Sequence, residues 1–185
     1  PNGKKNLGRG NIRVGNYEGI RIQITDGQIT KIEIGDYKGE LILPDDIKNP
    51  SYLDYLEVRW SPRVVISNSI TNLKNLKTFH LESRNLKKVP PYVTQINGLE
   101  YLFLDHNSIE ELPDSIRTLK SLKGIYVYNN PLTSIPEGLL ELKVLEIVDF
   151  KKAPLNNKSQ EIFQKLKDKG VRERLHQSFT IGLYD

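Results

Sequence analysis

From Leu99 the apolar positions fall in a fixed frame: Leu99-x-x-Leu102-x-Leu104-x-x-Asn107-x-Ile109, then Leu112-Pro113, Ile116 and Leu119. The frame restarts 23 residues later as Leu122-x-x-Ile125-x-Val127-x-x-Asn130-x-Leu132, followed by Ile135-Pro136, Leu139 and Leu142. Alternation at Leu102-x-Leu104 predicts a short strand with one buried face. Asn107 is placed to turn the chain, because its amide can satisfy backbone groups that the turn leaves unpaired. Pro113 suits the passage from extended chain to a helical turn. Ile116 and Leu119, three apart, allow about one amphipathic turn. A single such coil cannot bury its apolar side, so several must stack.

Weaker copies of the frame begin at Leu53, Leu76 and Leu145, so that five starting points are each 23 residues apart. A longer first copy opens at Ile29 and includes Ile32, Ile34, Leu43-Pro44 and Ile47. The turn Asn is replaced at three places: by Ser61-Pro62, by Arg84 (with Asn85 one residue late) and by Ala153. Upstream, Ile20-x-Ile22-x-Ile24 and Ile29-x-x-Ile32-x-Ile34 flank Asp26-Gly27, a dipeptide that favours a tight hairpin turn. After Leu155, Ser159 can cap a helix carrying Ile162, Phe163 and Leu166, and Gly170 can end it. The expected organisation is a loose, glycine-rich segment at 1–10, a β-hairpin cap at 11–28, about six repeats at 29–158, a helical cap at 159–176 and a tail at 177–185. Val171 and Leu175 are expected to dock beneath the helical cap.

Parallel stacking of the strands would send the third, fifth, seventh and eighth residue of each copy to one open, concave face. Six of the chain's fifteen aromatic residues occupy those positions, mixed with His, Asp and Arg, a composition typical of interface hot spots. The candidate partner-binding residues are Tyr55, Trp60, His80, Tyr101, Phe103, Asp105, His106, Tyr126, Tyr128 and Asp149. The surface is expected to centre on Phe103 and Tyr126, adjacent in one column, with a gap at Gly124 beside Tyr101. Aromatic residues are also good strand formers that stack across neighbouring strands, which competes with the binding reading.

Charge and composition narrow the class. The net charge is +4, but the basic residues concentrate at the two ends and leave a mildly acidic repeat body. A nucleic-acid partner would want a basic stripe along the working face, and none is there. No apolar run approaches a membrane span. The absence of cysteine excludes disulfides and Cys-based metal sites and favours a cytoplasmic setting. The first residue is Pro1 rather than Met, which keeps a removed leader open as an alternative. Asn157-Lys158-Ser159 reads best as a chance glycosylation sequon. His80 and His106 with Glu82 and Asp105 could in principle ligate a metal or exchange protons, but no nucleophile with an oxyanion arrangement accompanies them. The expectation is therefore no enzyme activity, no cofactor and no metal.

The stretch Leu112-Pro113-Asp114-Ser115-Ile116-Arg117-Thr118-Leu119, within the frame from Leu53 to Leu155, resembles the 23-residue class of intracellular leucine-rich repeats. Similar repeats occur in Ras-binding scaffold proteins, in Roc–COR GTPases and in microbial proteins. The resemblance implies an α/β solenoid: a curved parallel β-sheet on the concave face, short helical, 3-10 or extended turns on the convex face, and a cap at each end. It implies binding on the concave face without naming a ligand. The leading expectation is a non-enzymatic module that binds a protein or peptide through the aromatic concave face, with a monomer favoured over self-association. The alternatives are a sensing or scaffolding arm of a larger GTPase or kinase, and a carbohydrate-binding repeat surface.

Overall fold

The computed structural model describes residues 13–17, 20–35, 41–43, 52–60, 64–66, 68–83 and 85–174. Strands β1 (Arg13–Tyr17), β2 (Ile20–Thr25) and β3 (Gln28–Gly35) form an antiparallel meander. The turn between β2 and β3 is at Asp26-Gly27, both with positive φ (50° and 78°), the backbone that an Asp-Gly hairpin turn requires. β3 then pairs in parallel with β5 (Tyr55–Arg59), setting Ile32 beside Leu56 and Ile34 beside Val58. The hairpin thus passes directly into the repeat sheet, and β1 adds a third antiparallel strand in front of it.

From β5 the sheet continues in chain order through β7 (Thr78–Glu82), β8 (Tyr101–Phe103), β9 (Gly124–Tyr126) and β10 (Ile147–Asp149), all in parallel register. A small parallel pair, β4 (Leu41–Leu43) with β6 (Val64–Ile66), lies outside the main sheet. The outer segments are single 3-10 turns at Asn68–Asn72, Pro91–Gln95, Asp114–Thr118 and Glu137–Glu141. Pro90, Pro113 and Pro136 precede the last three with φ between −61° and −82° and extended ψ, so each proline ends the straight run rather than opening the turn from within. The 23-residue period leaves room for little more than one turn here, which is why the tighter 3-10 form is used.

The core lies between strands and turns as a column of repeat positions. Leu56, Phe79, Leu102, Ile125 and Val148 are fully buried on the strand side, and Ile70, Val93, Ile116 and Leu139 on the turn side. Between them sit two buried asparagines. Asn107 donates to the carbonyls of Leu81 (2.7 Å) and Leu104 (2.9 Å) and accepts from the Ser83 N–H. Asn130 repeats the pattern one coil on, donating to Leu104 and Val127 and accepting from the Ile109 N–H at 2.9 Å. Each amide therefore joins two coils by bonds that water cannot reach to replace. Gly138 makes the next close contact: a Cβ there would lie 2.8 Å from the Asp114 carbonyl oxygen.

Helix α1 (Asn157–Asp168) closes the stack, burying Ile162 and Leu166. Its N-cap is Asn156, whose side chain accepts from the Ser159 N–H, and not Ser159 as the sequence suggested. Ser159 is instead buried inside the first turn, where its hydroxyl accepts from the Ile135 N–H at 3.0 Å. At the other end Gly170 (φ 90°) and Val171 donate back to Lys167 and Leu166, a Schellman stop. The chain then returns to the sheet as β11 (Arg172–Glu173), parallel to β10, giving among the described residues a nine-stranded order β1-β2-β3-β5-β7-β8-β9-β10-β11. The expected segments at 1–10 and 177–185, the Pro44, Ile47, Ser61-Pro62 and Arg84 positions and Leu175 lie outside the described residues.

Candidate interaction surface

The open face of the sheet carries the side chains that the repeat frame turns away from the core. Its fifth-position column runs Glu57, His80, Phe103, Tyr126 and Asp149, adjacent in register. Parallel strands lie about 4.8 Å apart, close to the thickness at which flat rings stack. His80 and Phe103 stack with centroids 3.8 Å apart and planes 4° apart, and Phe103 and Tyr126 at 4.2 Å and 4°. Tyr55 tilts against His80 at 5.3 Å. A cation closes each end of the row: Lys31 Nζ is 4.2 Å from the Tyr55 ring centroid and the Arg174 guanidinium 5.3 Å from that of Tyr126.

This packing changes what the centre of the face presents. Phe103 and Tyr126 are 7% and 3% exposed, so the expected pair of solvent-facing rings is buried in its own stack. The gap expected at Gly124 is filled as well, because a Cβ there would meet Tyr126 and Tyr101 carbons at 2.9 and 3.0 Å. Asp149 is also buried, its Oδ1 accepting the Lys151 N–H. The side chains left half-buried or exposed are Tyr55, His80, Tyr101, Asp105 and Tyr128 along the strands and Trp60 and His106 on the rim.

The rim has its own backbone signature. Trp60, His106, Asn129 and Lys152, the eighth residues of their copies, all have φ between 51° and 61°. This left-handed residue, costly for side chains with a Cβ, lets the chain leave the strand and carries each side chain to the lip of the face. Trp60 donates its indole N–H to Glu82 at 2.6 Å, His106 meets the Asn129 amide at 3.0 Å, and Lys152 lies 5.1 Å from the Tyr128 ring centroid.

Electrostatics divide the face in two. On the β3–β7 side, Glu33 pairs with Lys31 (2.9 Å), Glu57 with Arg59 (3.1 Å) and the Tyr55 hydroxyl, and Glu82 with Trp60 and Arg59. Burial, with help from Arg59, Lys31 and Arg174, lowers His80 to about 3, so its imidazole is neutral at pH 7. On the β8–β11 side Asp105 uses Oδ1 to accept the Tyr128 N–H at 2.8 Å. Burial, then repulsion from Asp149 and Glu82, pushes Asp105 up to about 6 despite that bond and the attraction of Arg174. Asp149 is raised in the same direction by burial. His80 and His106 are not brought together: one stacks in the row and the other sits on the rim. Among the described residues no group of three or more His, Asp or Glu side chains is placed to hold a metal ion.

Sequence reasoning placed the aromatic columns and Arg59 beside them but missed the cations that lean on the ends of the ring row, Arg174 over Tyr126 and Lys31 over Tyr55. Arg174 arrives through β11, a strand of two residues with no alternation to betray it. Lys31 and Arg59 occupied the correct repeat positions, and their role follows only from which neighbour each strand receives.

A parallel sheet built from 23-residue coils, with asparagines bonded between coils and 3-10 turns behind, defines a leucine-rich repeat solenoid. Residues 74–132 match the leucine rich repeat family model. The chain is also similar to the solved structure of a leucine-rich repeat protein of Leptospira interrogans, at 26% identity and a TM-score of 0.61 over 75% of this chain and 35% of that one. It therefore aligns with about a third of that protein's length. No curated protein sequence matches the chain. The chain thus has the fold of a leucine-rich repeat solenoid, with the family's repeat pattern over residues 74–132, and such repeats generally mediate protein–protein interaction. Among the described residues, no helix is long and apolar enough to cross a membrane.

Proposed function

We propose that this chain is a non-enzymatic module that binds a protein or peptide on the open face of its sheet. The observation that carries the reading is the run of half-buried and exposed aromatic and polar side chains there, Tyr55, Trp60, Tyr101, Asp105, His106 and Tyr128, held on a rigid stack. His80, Phe103, Tyr126 and Asp149 form the floor beneath them and fix their positions. Pre-ordered aromatic groups lose little entropy on binding, so they give much of an interface its energy.

The face is tested through Tyr101 and Tyr128 rather than Phe103 and Tyr126, whose truncation opens a cavity costing roughly 3–5 kcal/mol. A photo-crosslinking amino acid placed at Tyr101 or Tyr128 captures a partner from the source cell extract, and the same group at Ser115 or Ser121 on the turn side does not. Equal capture from both sides, or capture from the turn side alone, refutes the assignment.

A further inference from the structure

On the reading that the open face receives a protein, we propose that its occupant is a basic extended segment, which sets an arginine side chain against Asp105 on the β8–β9 part of the sheet. The argument is charge complementarity, and it starts from an asymmetry. Glu33, Glu57 and Glu82 each have a cation of this chain within 4 Å, Lys31 for the first and Arg59 for the other two. Among the described residues Asp105 has no such partner, and its hydrogen bond comes from the Tyr128 backbone N–H through Oδ1. Two further carboxylates, Asp149 and Glu82, repel it, and the Arg174 guanidinium over Tyr126 attracts it. The buried Asp149 is not itself a contact, but it adds negative potential from below.

The surrounding walls already receive cations. Arg174 lies over Tyr126 and Lys152 over Tyr128, the residue whose N–H holds Asp105. An arginine suits such a place better than a lysine does, because its flat guanidinium can donate to a carboxylate while resting on a ring. The competing occupants fare worse. An acidic segment would bring a further negative charge to Asp105, Asp149 and Glu82. A purely apolar segment would cover Asp105 and leave it a buried charge without a cation, a heavy cost. The raised titration of Asp105 fits this picture: the free protein holds the carboxylate at a disadvantage that a partner's cation removes.

The test uses a phage-displayed library of random dodecapeptides selected on the whole folded chain, followed by fluorescence anisotropy of the selected peptides. Wild type is expected to enrich arginine at least threefold over its library frequency. Asp105→Asn, which keeps an oxygen for the Tyr128 N–H, should then bind those peptides at least tenfold more weakly. A Tyr101→Ala/Tyr128→Ala variant serves as the readout for the face itself. Selected peptides with no basic enrichment, or binding unchanged by Asp105→Asn, overturn the basic occupant. If such peptides still depend on Tyr101 and Tyr128, the protein-binding face stands while this inference falls. Selection of no peptide also overturns it, and the crosslinking measurement then decides the face independently.

Discussion

The imidazole of His80 lies flat on the ring of Phe103, centroids 3.8 Å apart and planes 4° apart. That contact continues to Tyr126 on one side and to Tyr55 on the other, so four rings from four strands form one row. His80, Phe103 and Tyr126 become a single object because the repeat places them at the same height, and Tyr55 leans onto the row from two residues earlier in its strand. The row stiffens the open face, and what it leaves accessible is the aromatic and polar groups around it. Each stacked pair contributes roughly 0.5–1.5 kcal/mol beyond the area it buries.

His80 makes stability depend on pH. Its pKa lies below that of an unfolded histidine, so the unfolded chain takes the proton first, and stability present above about pH 6.5 is lost as pH falls toward 3. His80→Phe removes that loss while preserving a flat ring in the stack. Relative to wild type, the variant should gain about 2 kcal/mol in urea unfolding at pH 5 compared with pH 7.5. The groups around His80, namely Arg59, Lys31, Arg174, Tyr55 and Phe103, are unchanged in the comparison. An equal difference at both pH values contradicts the assignment.

Asp105 acts with the opposite sign. Its pKa is raised to about 6, so the folded protein takes the proton first, and the carboxylate destabilises the fold above pH 6 but not below about pH 4. Asp105→Asn should therefore raise stability at pH 7.5 by about 1–2 kcal/mol, allowing for screening at a partly exposed site, and by little at pH 4. Denaturant titrations at the two pH values measure this. A variant less stable than wild type at pH 7.5 would show that the carboxylate is stabilising after all.

The inter-coil asparagines should be among the most costly polar side chains to remove. Asn130→Ala leaves the Val127 carbonyl and the Ile109 N–H without their amide partner in a dry interior, and takes from the Leu104 carbonyl one of its two amide donors. The expected loss is about 2–4 kcal/mol, seen as a lower urea midpoint. Asn85→Ala, at an exposed position, should change stability by less than about 0.5 kcal/mol. Similar losses for the two substitutions would remove the ladder from the account of stability.

Gly138 sets how closely two outer turns approach. A methyl group there would sit 2.8 Å from the Asp114 carbonyl oxygen and 3.0 Å from the Arg117 Cβ, so Gly138→Ala forces backbone to move. A loss of about 1–3 kcal/mol is expected, read as a lower Tm in thermal unfolding. At Gly124 the groups met first are atoms of the Tyr126 and Tyr101 rings, which can turn aside. Gly124→Ala should therefore disturb the near-ultraviolet circular dichroism of the stack more than the Tm. The reverse ranking would mean that the outer turns tolerate separation and the ring row does not.

The sequence alone determined the coil. Leu102-x-Leu104 with Asn107, Pro113 and Ile116 specifies strand, turn and outer segment through local preference and burial, and repetition every 23 residues compels the coils to stack. It also determined the hairpin turn at Asp26-Gly27, because few backbones suit that dipeptide better. The tertiary structure decided what the open face presents. Whether Phe103 meets solvent or His80 depends on the spacing and twist between strands, and no local pattern encodes that. Arg174 reaches Tyr126 only because α1 stops at Gly170 and returns the chain as a ninth strand. Asn156 rather than Ser159 caps that helix because the Ser159 hydroxyl is claimed by Ile135 from the preceding coil. Apolar periodicity is a local property and can be read along the chain, whereas the exposure and charge of a surface group depend on neighbours 23 or more residues away.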